Sequence, residues 1–278
     1  MARAAHTTHP IEALSEAIRS HEAAALVCLA SAKKKPVHQL RTWTRRVEAQ
    51  LELIALLPDA PPAPKQRAKA MRLLKKLRRA AGSVRDMDVE RSLLAQESRR
   101  VRGSSQEAVK LRDDIASLRR HCGKQREKSA KRLASLLNEE EKKLPPIFAK
   151  LVEAFEPAED AEITEQRLIV LVREWYARSG AFPGRTQSVE ALHGVRKRAK
   201  LGRYMAESAP ASARRARVMA GRFEALQQAG GDWHDLLQLR KTAAKRIGQS
   251  SVLVRRLQIQ SERALRTYRK RLDKSGLH

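Results

Sequence analysis

Aromatic residues, cysteines and long apolar runs are all scarce in this 278-residue chain. Its 3 Trp, 3 Tyr and 4 Phe are scattered, which leaves no visible platform for stacking the bases of single-stranded nucleic acid. The two cysteines, Cys28 and Cys122, make no disulfide framework, and we expect both to be reduced. The longest apolar run, Ala23 to Ala30, is much shorter than the roughly 20 residues of a membrane span. We therefore expect no membrane association.

Motifs of enzymes and metal sites are also missing. The 8 His are dispersed, and none forms a pair at zinc-ligand spacing beside a cysteine. The chain has no Gly-rich phosphate loop of the Walker type, and no helical pattern presents paired carboxylates for a metal. We expect no metal site, no cofactor and no enzymatic activity. Because the first residues lack the apolar core of a secretory signal, we expect a cytoplasmic protein.

Positive charge is what the chain has in excess. It contains 58 Lys and Arg against 31 Asp and Glu, for a net charge of +27. This charge is larger than solubility requires of a small protein, and it indicates a polyanionic partner. The residues that accompany the charge must decide between nucleic acid, an anionic membrane surface and a phosphate polymer.

Apolar residues recur at helical spacing along almost the whole chain, as at Ile11, Leu14 and Ile18. No stretch alternates as a strand, so the pattern predicts an all-α protein. Proline and glycine clusters divide the chain into eight to ten predicted helices. These are predicted at about 11–34, 36–57, 64–81, a long pair across 84–143, and then 163–179, 188–208, 210–229 and 232–273.

The order of these helices indicates an internal duplication. His38 and His193 each open the second helix of a half, and Asp86 and Asp235 each follow the third helix. We therefore predict an N-terminal half over 8–143, a connector over 144–160 and a C-terminal half over 161–273.

Basic residues are concentrated on single helix faces. His193, Arg196, Lys200 and Arg203 are spaced so that all four lie on one face, with Lys197 beside them. The first half repeats the spacing, although Glu48 stands where a fourth base is expected. The third helix of each half carries a further basic face. The candidate ligand-binding residues are His38, Arg41, Arg45, Arg46, Arg72, Lys75, Lys76, Arg79, His193, Arg196, Lys197, Lys200, Arg203, Arg214 and Arg217.

Each basic face, taken alone, is also compatible with an ordinary solvated helix surface. Like charges on neighbouring turns destabilise a helix, so their repetition is better explained by a bound anion. His38 and His193 admit three interpretations: a core histidine bonded to a carboxylate such as Asp86 or Asp235, a phosphate ligand, or a catalytic base.

Two motif pairs resemble the CHAD family, the conserved histidine α-helical domain. The first pair is Val37-His38-Gln-Leu-Arg41 and Leu192-His193-Gly-Val-Arg196. The second is Gly82-Ser-Val-Arg85-Asp86 and Trp233-His234-Asp235. The resemblance implies two four-helix bundles related by a pseudo-twofold axis, with a basic central cavity that binds inorganic polyphosphate. It also implies a place at polyphosphate granules.

The leading functional expectation is therefore non-catalytic binding of polyphosphate. Its main rival is a nucleoid-like protein that binds nucleic acid through phosphates alone, for which the same net charge would serve. A second rival is an enzyme that acts on polyphosphate, but no nucleophile stands out in the sequence.

Overall fold

The computed structural model describes residues 7–178 and 188–277, and it confirms an all-α protein. A two-residue antiparallel pair, β1 (Thr7–Thr8) with β2 (Ile163–Thr164), is the one sheet in the described residues. The nine described helices are α1 (Pro10–Ala30), α2 (Lys34–Ile54), α3 (Pro64–Arg100), α4 (Gln106–Glu141), α5 (Leu144–Glu153), α6 (Glu165–Arg178), α7 (Val189–Ala206), α8 (Arg214–Ile247) and α9 (Val252–Asp273).

Local sequence sets where several helices begin. Proline occupies the first turn of α1, α3 and α5, where its missing N–H costs no hydrogen bond. Serine caps α4, α7 and α9: the hydroxyls of Ser105, Ser188 and Ser251 accept hydrogen bonds from backbone N–H groups of the first turn. The starts of α1, α3 and α7 agree with the predicted helices to within a few residues, whereas α5 was not predicted and α9 begins at Val252 rather than at 232.

The predicted helix breaks at Gly82 and Gly230 were wrong, because α3 and α8 each run through their glycine. Both glycines make room for a neighbouring side chain. A Cβ on Gly82 would lie 2.7 Å from Nη1 of Arg41, and a Cβ on Gly230 would lie 2.8 Å from the ring of Tyr268. Close packing with other helices therefore explains both residues, at a cost of about 1 kcal/mol each in helix propensity.

The segment predicted as a connector contains α5 and a 3-10 turn at Glu156–Ala158. Phe148, Leu151 and Phe155 from this segment are fully buried in the core that α5 forms with α1, α3 and α4. The predicted break at Gly180 to Gly184 lies outside the described residues.

Three apolar cores hold the helices together. The first joins α1, α2 and α5 to the N-terminal part of α3 and the C-terminal part of α4. The second joins α6, α7, α8 and the end of α9, and it includes Ala49 and Leu53 of α2. The third forms where the far ends of the α3–α4 and α8–α9 hairpins meet, through residues such as Leu94, Leu118 and Leu239. Because the second and third cores both cross between the predicted halves, they fix α2 and α3 beside α7 and α8.

No helix in the described ranges is both long enough and apolar enough to cross a membrane.

Candidate anion-binding site

Four helices bring ten basic side chains into mutual electrostatic contact. We call this group the interhelical basic cluster, and its members are His38, Arg41 and Arg45 of α2, Arg78 and Arg85 of α3, His193, Arg196, Lys197 and Lys200 of α7, and His234 of α8. Lys200 of α7 lowers the pKa of His38 on α2, and Arg45 of α2 likewise lowers the pKa of His193 on α7. The two histidine-bearing helices therefore face each other.

The packing of α2 positions Arg41 at the centre of this cluster. Leu40 and Val47 bury the apolar face of α2, which turns Arg41 toward α3. Because Gly82 has no side chain, the guanidinium lies across α3 and donates a hydrogen bond from Nη1 to the backbone oxygen of Arg78 at 3.2 Å.

Burial and mutual repulsion lower the pKa values of the cluster. Desolvation, reinforced by Arg41, Arg196, Arg45 and Arg85, lowers the pKa of Lys200 from 10.5 to about 7. Desolvation lowers the pKa of Arg41 to about 10, although Asp86 acts in the opposite direction. Positive charges gathered in a poorly solvated region disfavour one another, and a negative ligand would relieve that repulsion.

Two carboxylates, the buried Glu48 and the partly exposed Asp235, already pair with the arginines on one side of the cluster. Glu48, which is 2% exposed, accepts a hydrogen bond from Arg45 at 2.8 Å and also pairs with Arg78. The two carboxylate oxygens of Asp235 accept hydrogen bonds from Nη1 and Nη2 of Arg85, at 2.8 Å each. These pairs hold three guanidinium groups in fixed orientations.

The other side of the cluster has no such partners. Arg41, Arg196 and Lys200 form no ion pair with any carboxylate in the described part of the chain. Glu48 and Asp235 pair instead with the neighbouring Arg45, Arg78 and Arg85. Nε of Arg196 and Nδ1 of His193 are buried without any hydrogen-bond partner. Unpaired donors and charges of this kind are costly in a protein interior, so their convergence indicates a place for an anion.

The surroundings lower the pKa of all three histidines of the cluster. The rings of His193 and His234 lie 4.5 Å apart between centroids, and burial together with Arg196 lowers the pKa of each to about 4. His38 is exposed, yet partial desolvation and the nearby Lys200 also lower its pKa.

Arg46 and Arg203 lie at the edge of the cluster and are paired. Arg46 of α2 donates to Glu207 at 2.6 Å and lies over the rings of Trp43 and Tyr204. Arg203 donates to the same Glu207 carboxylate. This arrangement clamps α2 to the end of α7.

The remaining candidate residues lie on other surfaces. Arg72, Lys75, Lys76 and Arg79 line a separate recess between α3 and α4, where Lys76 donates to Glu140 at 2.7 Å. Arg214 and Arg217 form a second group, on the exposed first turn of α8. Arg214 lines a recess beside α6. The structure thus brings together His38, Arg41, Arg45, His193, Arg196, Lys197 and Lys200, and separates these two groups from them.

Sequence reasoning did not include Arg78, Arg85 and His234 among the site residues. Arg78, Gly82 and Arg85, at relative positions 0, 4 and 7, share one face of α3. The predicted break at Gly82 assigned Arg78 and Arg85 to different helices. Residues of different helices have no fixed angular relation, so a shared face could not be predicted.

Fold and side chains together define an all-helical protein with a partly buried group of basic side chains between four of its helices. A family model of the CHAD domain matches residues 11–244. The chain belongs to the CHAD family, which is associated with polyphosphate binding, and the resemblance read from its motifs is confirmed. The crystal structure of the CHAD domain from the plant Ricinus communis matches with a TM-score of 0.61 and 17% identity, covering 100% of this chain and 91% of that one. At this identity the likeness shows the fold. No curated protein sequence matches the chain.

Proposed function

We propose that the protein binds inorganic polyphosphate at the interhelical basic cluster, without catalysis, and that this binding attaches it to polyphosphate granules. One observation carries the proposal: Arg41, Arg196 and Lys200 converge from two facing helices, and none of them forms an ion pair with a described carboxylate. Guanidinium forks and a mobile ammonium group are well suited to the oxygens of a phosphate chain.

The character of the cluster favours an inorganic ligand over nucleic acid. Its members are cations and imidazoles, and the nearby Trp43 and Tyr204 are already covered by Arg46. No open aromatic face is therefore available among the cluster residues for stacking a base. A polyphosphate chain has no bases that need a stacking partner, so the charged groups of the cluster are sufficient to bind it.

The test removes two cations of α7, Arg196 and Lys200, that form no ion pair in the described residues. Arg196→Ala combined with Lys200→Ala should weaken binding of long-chain polyphosphate by about 100-fold or more, since each charge-assisted hydrogen bond contributes about 1.5–3 kcal/mol. Isothermal titration calorimetry at fixed salt measures the loss. Arg263→Ala combined with Arg266→Ala removes the same charge from exposed positions of α9, and this control should change affinity by less than about 3-fold. Equal weakening by both pairs would refute a dedicated site.

Competition separates the proposal from nucleic-acid binding. At fixed salt, duplex DNA of equal charge should displace polyphosphate poorly. One-for-one displacement would favour the nucleoid-like alternative, because counterion release depends on charge alone.

Two further measurements address the remaining parts of the proposal. In cells, the Arg196→Ala, Lys200→Ala variant should lose its co-localisation with polyphosphate granules while the α9 control keeps it. Incubation of the wild-type protein with polyphosphate and Mg²⁺ should release no phosphate above the rate without protein, and sustained release would contradict binding without catalysis.

A further inference from the structure

Another basic recess lies between α8, α9 and the residues that follow α9. Four cations line it: one from α8, two from the last turn of α9 and one from the residue after α9. No acidic side chain is among its lining residues. Its charged lining consists of Arg222, Lys270, Arg271 and Lys274. We call this the C-terminal recess. Its volume is about 560 Å³, and it shares no residue with the interhelical basic cluster.

The residues after α9, 274–277, form an ordered wall of this recess. Leu277 is 1% exposed in the second core, which anchors the segment after α9. The segment turns at Gly276, whose φ of 58° is left-handed, and the N–H of Ser275 donates to the carbonyl of Leu272. Arg222 reaches this turn, since its Nη1 would lie 3.5 Å from a Cβ on Gly276. Cations from two helices and the tail are therefore held around one space.

An unsatisfied group points to a ligand independently of the charges. Ser275 is 8% exposed, lines the recess, and its hydroxyl oxygen is buried without a hydrogen-bond partner. Buried hydroxyls are nearly always hydrogen-bonded, so an orphan one beside four cations fits a missing oxyanion.

The helix dipole alone does not account for the recess. Basic residues in the last turn of a helix offset its negative end, which explains Lys270, Arg271 and Lys274 singly. Arg222 belongs to another helix, yet it is turned toward the same space. None of the four cations forms an ion pair with a described carboxylate, in contrast to Arg46 or Lys76.

We propose that the C-terminal recess is a second oxyanion site, which binds the phosphoryl groups of a condensed inorganic phosphate. The other lining residues, Ala225, Leu226 and Thr267, offer no aromatic ring to a base, so a nucleotide gains nothing there over the inorganic chain. This site does not depend on the function proposed for the interhelical basic cluster.

Inorganic tripolyphosphate is the probe, in a calorimetric titration at low fixed salt. Wild-type protein should show two classes of site. Arg222→Ala combined with Lys274→Ala should remove one class and leave the other unchanged, and Lys270→Ala combined with Arg271→Ala should do the same. These side chains are exposed, so the variants should keep the wild-type melting temperature.

Two comparisons make the result decisive. The Arg263→Ala, Arg266→Ala control on α9 should retain both classes. The Arg196→Ala, Lys200→Ala variant should retain the class lost in Arg222→Ala, Lys274→Ala. If both recess variants titrate like the wild type, the inference is overturned. If they lose a class while Arg196→Ala, Lys200→Ala loses nothing, the C-terminal recess stands and the function proposed for the interhelical basic cluster fails.

Discussion

Lys200 gives polyphosphate binding a pH dependence that can be worked out in advance. In the free protein, burial and four neighbouring arginines lower the pKa of its ammonium group from 10.5 to about 7. A bound polyanion favours the charged form and raises that pKa again. Binding therefore takes up a proton between the two pKa values, and affinity increases as the pH falls.

The magnitude follows from linkage. If the ligand restores the ordinary pKa, lowering the pH from about 8.5 to about 6.5 should tighten binding by about 20-fold, or about 1.8 kcal/mol. Arg41, with a pKa of about 10, stays charged over this range. His193 and His234, with pKa values of about 4, are neutral in the free protein throughout it.

Long-chain polyphosphate is the appropriate ligand, because its internal phosphates do not titrate near neutral pH. The dissociation constant would be measured by calorimetry at constant ionic strength in several buffers, whose ionisation heats report the proton uptake directly. Lys200→Arg is the matched control: its guanidinium remains charged, so its affinity should change with pH much less than that of the wild type. An unchanged dissociation constant in the wild type, or the same pH slope in Lys200→Arg, would refute this reasoning.

Three further predictions test single features of the fold and site. Gly82→Ala should weaken polyphosphate binding by displacing Arg41, while helix propensity offsets the strain, so chemical denaturation should show a stability change below about 1 kcal/mol. Glu48→Gln should free its two guanidinium partners and make the slope of log affinity against log salt steeper by about 1.4, and an unchanged slope would show that they never reach the ligand. His21 is fully buried with a pKa lowered to about 4, so it destabilises the fold by up to about 3 kcal/mol as the pH falls from 6.5 to 4. His21→Leu should remove this part of the acid sensitivity, as measured by thermal unfolding across that pH range.

The helices and one face of the site could be predicted from local sequence because both depend on periodicity. Apolar spacing predicted the all-α class and the starts of most helices, though not those of α5 and α9. The spacing of His193, Arg196 and Lys200 gave the face of α7 that meets α2. The position of α2 opposite α7 was implied by family resemblance, since nothing local to either helix selects its neighbour.

What could not be predicted depends on tertiary contacts. Glu48 looked like a missing base, but it is the buried partner of Arg45 and of Arg78 on another helix. Arg46 was grouped with the site, yet its carboxylate partner Glu207 lies just after the last residue of α7. A basic residue on a helix face does not reveal whether a distant acid will neutralise it.

Glycine was the other source of error. Gly82 within a charged helix was interpreted as a break, because glycine weakens helices and is common at their ends. In the folded protein it lets the Arg41 side chain lie across α3. The same misreading concealed the relation of Arg78 to Arg85, and with it the contribution of α3 to the site.

The most direct test of the account is a crystal structure with bound polyphosphate. We predict phosphate density between α2 and α7, with oxygens within hydrogen-bonding distance of Arg41, Arg196 and Lys200. Phosphate found only on the outer surfaces, with these three side chains still unpaired, would contradict it.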